Sequence, residues 1–334
     1  MTVPVRARVE PKVALADIQR PVGQLLDSVP AEMMRIVAVD EALLRAVHTH
    51  LFARRGKLIR PTLLLLCSQV DGTPEARALS YAAVIELIHV ATLVHDDSVD
   101  HSVLRRGMPT VNALFTHQVA VIAGDFLYSR AVQELVRLGD LDALAVLAAA
   151  SNELTVGEMR QLAALDALAF SEEDYVRLIR AKTAALFSAA CEVGALCGAR
   201  GFRERLARYG SHLGMAFQVA DDLLDYTESS DTLGKPVGQD LREHKVTLPL
   251  IAALPRLDKR ARGVVEELFA AAEPAEDLVR QVIAIVSEVG GLEYARERGR
   301  RYAELAAREL GALPAGAARS ALEAAVSYVT ERHS

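Results

Sequence analysis

Residues 76–100 read ARALSYAAVIELIHVATLVHDDSVD. The stretch is apolar and predicts a helix running from about Ala76 to Asp100. Within it, His89, Thr92, Asp96 and Asp100 recur at helical spacing, while the neighbouring Ile88, Ala91, Leu93 and Val94 are apolar or small. A polar stripe on an otherwise apolar helix faces either bulk water or an internal wet cavity.

The end of this stretch, Asp96-Asp97-Ser98-Val99-Asp100, has a counterpart in Asp221-Asp222-Leu223-Leu224-Asp225. On a helix, positions i and i+4 share a face, so Asp96 stands over Asp100 and Asp221 over Asp225. The second motif closes a similar stripe of Gly214, Gln218, Asp221 and Asp225. Carboxylates beside apolar runs are costly to desolvate, and cations would hold them together. Two such clusters facing one cavity predict a Mg2+-dependent diphosphate site, because hard oxygen ligands suit an ion that keeps waters and binds phosphates. The competing reading of a single motif is a solvated acidic helix end. Two copies, each on an apolar helix and each accompanied by basic residues, favour the functional one.

The composition agrees with an all-α chain. Of 334 residues, 51% are hydrophobic, Trp is absent, and no proline lies between Pro109 and Pro236, as a set of core helices requires. No low-complexity linker divides the chain, which predicts a single domain over 1–334 with a flexible arm at 1–12. A net charge of −6 argues against nucleic-acid binding, which needs a basic patch. Cys67, Cys191 and Cys197, an odd set without a Cys-x-x-Cys pair, read as small core residues in a reducing compartment, and the expected location is cytoplasmic. No transmembrane span and no apolar leader are expected.

Further cations accompany the aspartates. Gly56-Lys57-Leu58-Ile59-Arg60-Pro61 opens a helix, with Pro61 in its first turn. Ser171-Glu172-Glu173-Asp174 resembles a capping box, and the helix it starts extends towards Gly198. Lys182 there shares a face with Tyr175, Leu178, Leu186 and Ala189, so its ammonium must reach an anion or water. The segment from Thr227 to Lys245 breaks periodicity and carries Gly234, Lys235, Pro236, Gly238 and Arg242, which predicts a lid with mobile cations. A P-loop, a dinucleotide fingerprint, a zinc-spaced Cys/His set and a nucleophile elbow are all missing, which disfavours covalent catalysis and hydride transfer.

These motifs, in this order, resemble the trans-type polyprenyl diphosphate synthase family. The resemblance runs from Gly56 to Pro249 and rests on Gly56-Lys57 with Arg60-Pro61, His89 seven residues before Asp96, both aspartate motifs, Arg105-Arg106-Gly107, Lys182-Thr183, Phe217-Gln218, Gly234-Lys235-Pro236, and Lys245 with Thr247-Leu248-Pro249. It implies a bundle of about ten or more helices around a deep apolar cavity, the isoprenoid synthase type. It implies that Lys57, Arg60, His89 and Arg106 hold the diphosphate of isopentenyl diphosphate. Asp96, Asp97, Asp100, Asp221 and Asp225 match Mg2+ ligands; Arg105, Lys182 and Lys235 match contacts to the allylic diphosphate (geranyl, farnesyl or geranylgeranyl). Thr183 and Gln218 match oxygens facing the developing cation. Gln239 and His244 depart from the family's usual lid residues.

The reaction so implied is ionisation, condensation and elimination, within a homodimer that touches membrane transiently to release product. Below the first motif, the small Ala91 and Thr92 leave the tunnel open, with Leu87, Ile88 and Val84 deeper and Phe126 or Tyr128 facing them. That predicts a long all-trans product for a quinone side chain. The rival expectations are a geranylgeranyl diphosphate synthase, a class I terpene cyclase, which would lack Lys57, Arg60 and His89, and an inactive regulatory subunit, which would have lost aspartates.

Overall fold

The computed structural model describes residues 13–105, 107–163, 167–227 and 237–331. Arg106 and Lys235, both expected diphosphate contacts, lie outside the described residues, as do the arm at 1–12 and residues 228–236 of the lid. The elements used below are α1 (Leu15–Gln19), α2 (Gly23–Ile36), α3 (Ala42–Leu51), α4 (Ile59–Ser68), α5 (Ala78–Val99), α6 (Val111–Leu114), α7 (His117–Leu138), α8 (Leu141–Ala163), α9 (Glu172–Ile179), α10 (Ala185–Leu196), α11 (Arg203–Thr227), α12 (Gln239–Arg242), α13 (Leu248–Ala253), α14 (Lys259–Ala270), α15 (Glu276–Glu288), α16 (Gly291–Leu310) and α17 (Ala317–Glu331).

The decisive stretch forms α5. Its first turns, from Tyr81 to Ile88, are buried on every side, as expected of a helix that is apolar all round. It is also long and apolar enough to cross a membrane, but most of it is covered by neighbouring helices. It packs along α7 on one side and against α2 and α4 on the other. The main core gathers α2, α4, α5, α10, α11 and α17, and a second apolar cluster gathers α9, α11 and α13 to α16. The three cysteines are free and buried, as their sequence setting suggests.

Local chemistry starts several helices. Ser171 Oγ accepts from the Asp174 amide at 3.1 Å and the Asp174 carboxylate accepts from the Ser171 amide at 3.3 Å, which is the capping box read from sequence. Thr116 caps α7 through the Val119 amide at 3.1 Å. Ahead of α4, Leu58 sits in the left-handed region at φ 49°, and Gln19 of α1 donates to the Lys57 carbonyl at 2.8 Å. The Lys57 turn is thereby tied to an element 38 residues earlier.

Two features depart from the sequence expectation. No strand was anticipated, yet Leu104–Arg105 and Met108–Pro109 form a two-stranded antiparallel ribbon with Arg105 opposite Met108. Strands of two residues are too short to carry a period-2 signal. The helix expected from Glu172 onwards is interrupted by one π turn at Arg180–Ala184, which contains Lys182 and Thr183. An extra residue in a helical turn rotates the side chains on either side of it, and such turns concentrate at functional sites. α11 lies against this turn at Gly214, where a Cβ would fall 2.7 Å from Ala184 Cα. Only glycine permits that approach, which brings Thr183 and Gln218 face to face.

Candidate active site

The C-terminal ends of α5 and α11 border one cavity of about 970 Å3, and all six motif aspartates line it. Lys57, Arg60, His89, Thr92, Arg105, Lys182, Thr183 and Gln218 line it as well. Each aspartate motif therefore occupies the last turns of a helix, where the dipole is negative and neither helix supplies a basic residue. Anions so placed are unfavourable in the bare protein, and cations from elsewhere must compensate them.

The six carboxylates are not equivalent. Burial pushes the Asp96 carboxyl up to about 6, with Lys182 pulling it down and Glu158 and Asp100 pushing it up. Asp97 is buried and accepts Arg105 Nε on both oxygens, at 2.9 and 2.8 Å. Asp100 lies 3.8 Å from the Lys245 ammonium. Asp225 accepts the backbone N–H groups of Gln239 and Asp240, both at 3.0 Å, and so caps α12. The buried Asp222 accepts Tyr175 Oη–H at 2.6 Å and Gln218 Nε2–H at 2.8 Å. Burial, with Asp221 and Asp225 adding to it, raises it to about 7 despite those two donors.

A chain of hydrogen bonds orients the polar groups across the π turn. Thr183 Oγ1 donates to Gln218 Oε1 at 2.7 Å while Gln218 Nε2 donates to Asp222. Because Asp222 accepts from the amide nitrogen, the amide oxygen must face Thr183. Tyr175 thus holds Asp222, Asp222 holds Gln218, and Gln218 holds Thr183. The Arg60 guanidinium lies 4.8 Å from the Phe187 ring centroid. Lys182 ion-pairs with Glu158 and donates to Gln161 Oε1 at 3.0 Å.

The two residues named for chain length separate. Thr92 is on the cavity wall, whereas Ala91 is buried in the main apolar core and is not among the lining residues. Tyr175, Gln161 and, just outside the lining, Glu158 bear on the site and were not singled out from the sequence. Tyr175 had a signal, its place on the face of Lys182. Asp240, a lid residue that matches the family pattern, is buried and raised far above the usual aspartate range by burial and by Asp222 and Asp225.

Among the described residues no three Asp, Glu, His or Cys side chains converge closely enough to hold a metal ion alone. The donor set nevertheless fits a hard divalent cation whose shell is completed by water and phosphate oxygens, since every motif group is a carboxylate.

An all-α bundle with two carboxylate-bearing helix ends and several cations around one cavity suits diphosphate chemistry. The polyprenyl synthetase family model matches residues 41–286. The chain is 40% identical over 308 residues, 92% of its length and 94% of the relative's, to the all-trans-nonaprenyl-diphosphate synthase (geranyl-diphosphate specific) of Rhodobacter capsulatus. It is 36% identical over 95% of its length and 98% of the relative's to a short chain isoprenyl diphosphate synthase of Methanothermobacter thermautotrophicus. A polyprenyl synthase of Caulobacter crescentus CB15, complexed with calcium and isoprenyl diphosphate, superposes with a TM-score of 0.90 at 34% identity, covering 97% of this chain and all of that one. The chain belongs to the polyprenyl synthetase family and is a prenyltransferase.

Proposed function

We propose that this enzyme condenses isopentenyl diphosphate with an allylic diphosphate (geranyl, farnesyl or geranylgeranyl) and repeats the step to build a long all-trans polyprenyl diphosphate. The observation that carries this is the pairing, in one cavity, of two aspartate-bearing helix ends with the separate cation set of Lys57, Arg60 and His89. One cavity so equipped accommodates two diphosphates. Asp96, Asp97, Asp100, Asp221 and Asp225 are the residues to hold Mg2+. Asp97 and Asp225 are engaged by Arg105 and by the α12 amides, so they act as ligands only if those contacts are shared. When bound, Mg2+ supplies positive charge to the allylic diphosphate.

The residues then divide the work. Lys57, Arg60 and His89, with Arg106, bind and orient isopentenyl diphosphate. Lys182 and Arg105, with Lys235, neutralise charge that develops on the departing diphosphate, an interaction stronger in the transition state than before it. Thr183 Oγ1 and Gln218 Oε1 face the allylic carbon as its C–O bond breaks. The double bond of isopentenyl diphosphate attacks that carbon, and the proton lost afterwards passes to the released diphosphate. Val90, Leu93, Leu154 and Leu186 on the wall exclude water from the cation.

Product length follows the floor below Asp96. Thr92 is the wall residue one turn down, and its small side chain supports elongation past fifteen carbons towards a quinone-type side chain. The Rhodobacter relative, a nonaprenyl synthase, supports the same reading; the short-chain Methanothermobacter relative supports geranylgeranyl diphosphate as the alternative. A homodimer formed through α7 and α8 is supported by their exposed Ile122, Val136, Leu141, Met159 and Leu162, the free cysteines fit the cytoplasm, and release of so greasy a product favours brief membrane contact. The test is to incubate the purified enzyme with Mg2+, isopentenyl diphosphate and each allylic primer and to measure product length. Chains of thirty carbons or more are expected; products stopping near twenty select the alternative, and absence of condensation with every primer refutes the reaction.

A further inference from the structure

Lys182 has surroundings in the fold that are built around it. The π turn that carries it lies against α8 at Gly157, where a Cβ would come 2.7 Å from Ala181 Cβ and 3.4 Å from Lys182 Cγ. Any larger residue would push α8 and the turn apart. This close approach sets the next residue, Glu158, beside the lysine, and Gln161, one turn further along α8, beside it as well. The ammonium pairs with the Glu158 carboxylate and donates to Gln161 Oε1 at 3.0 Å, with only 26% and 19% of the Lys182 and Glu158 side chains exposed. An ammonium has three N–H donors. Two are engaged by α8, which leaves one to direct elsewhere. Lys182 and Gln161 line the cavity, whereas Glu158 is not among its lining residues. The carboxylate thus holds the lysine from outside the space that substrate would occupy.

We infer that Gly157, Glu158 and Gln161 form a cradle that positions the Lys182 ammonium for the departing allylic diphosphate, Glu158 and Gln161 acting as positioning residues. This role rests on the cavity being where the allylic diphosphate ionises. Three consequences follow from the geometry. A lysine on a mostly apolar face swings to water without a fixed partner, and Glu158 holds it in place. The two α8 contacts remove the freedom of a four-carbon stem before substrate arrives. Glu158, outside the wall, acts on the diphosphate through Lys182 and reaches Asp96 by its charge alone.

The experiment is a double-mutant cycle on kcat with Glu158→Leu, Lys182→Met and the pair, alongside Gln161→Leu and Glu158→Gln. Glu158→Leu is expected to lower kcat about 10²-fold, the usual cost of misplacing a reacting group by about 1 Å, with the KM for isopentenyl diphosphate unchanged. In the Lys182→Met background the same substitution is expected to cost far less, because its main route of action is already gone. Glu158→Gln, which keeps an acceptor, is expected to recover part of the rate. Equal losses in both backgrounds, or a wild-type kcat for Glu158→Leu, overturn the cradle while leaving the condensation reaction standing. An inactive wild-type enzyme counts against the reaction instead, and the cradle is then read without turnover from acylation of Lys182 by an amine reagent, followed by mass spectrometry. Glu158→Gln and Gln161→Leu are expected to speed that acylation several-fold, and unchanged labelling refutes the cradle.

Discussion

Tyr175→Phe probes the buried end of the Thr183–Gln218–Asp222 chain and has a calculable pH signature. Asp222 is pushed from 3.8 to about 7, first by burial, with Tyr175 and Gln218 pulling it down and neighbouring aspartates pushing it up. Between those two values the folded protein binds a proton that the unfolded chain has lost. Stability from this group is therefore fully present below 3.8 and falls as pH rises through about 7, a decline of about 4 kcal/mol at roughly 1.36 kcal/mol per unit. Removing the Tyr175 hydroxyl deletes one of the two donors to Asp222. At pH 8 Asp222 is ionised and the lost bond is charge-assisted, costing about 1.5–3 kcal/mol. At pH 5 Asp222 is protonated and the lost bond joins two neutral groups, costing about 0.5–1.5 kcal/mol. The gap between variant and wild type is thus expected to widen by about 1–2 kcal/mol from pH 5 to pH 8. Urea titrations of both proteins at the two pH values, without divalent cation and with the slope m compared, measure it. Titration of other carboxylates cancels in the difference. An equal gap at both pH values, or a wider one at pH 5, refutes the assignment of Asp222 as a buried carboxylate held by Tyr175.

Three further outcomes are expected. Thr92→Phe, on the cavity wall, shortens the products seen by chromatography, whereas Ala91→Phe, in the core, costs about 1–3 kcal/mol of stability by overpacking; the reverse pattern would exchange their roles. Glu134, with only 6% of its side chain exposed, pairs with Arg35 and Arg137, and the Arg137 hydrogen bond first and then Arg35 hold its carboxyl below 4.5. Its stabilisation is present above that value and lost as pH falls through the lowered one, so Glu134→Gln costs about 1–2 kcal/mol at pH 7, with its half-exposed arginines screened by solvent, and the deficit narrows in melts near pH 3. Chelation of divalent ions abolishes condensation and MgCl2 restores it; activity that survives exhaustive chelation excludes the carboxylates as cation holders.

The helices and the aspartate pairs were legible in the sequence because both depend on short-range geometry. Spacing of four residues puts Asp96 under Asp100 in any α-helix, and the Ser171–Asp174 capping box is closed by residues three apart. The cations, too, were recognisable from their order along the chain. Pairing across the fold was not. Asp97 belongs to Arg105 through a ribbon too short to betray itself, and Asp225 belongs to backbone amides 14 and 15 residues later. Asp222 is tied to Tyr175 from 47 residues away. Lys182 showed only that it needed an anion; that Glu158 and Gln161 of α8 supply the partners follows from a glycine contact and a π turn. Adjacent residues Ala91 and Thr92 look interchangeable in sequence, yet one helical step of about 100° sends the first into the core and the second to the cavity wall. The sequence by itself determined which groups exist and which local faces they share, because helical periodicity and capping act within a few residues. Tertiary structure alone decided which distant groups each carboxylate meets, because that depends on where distant helices come to rest against one another.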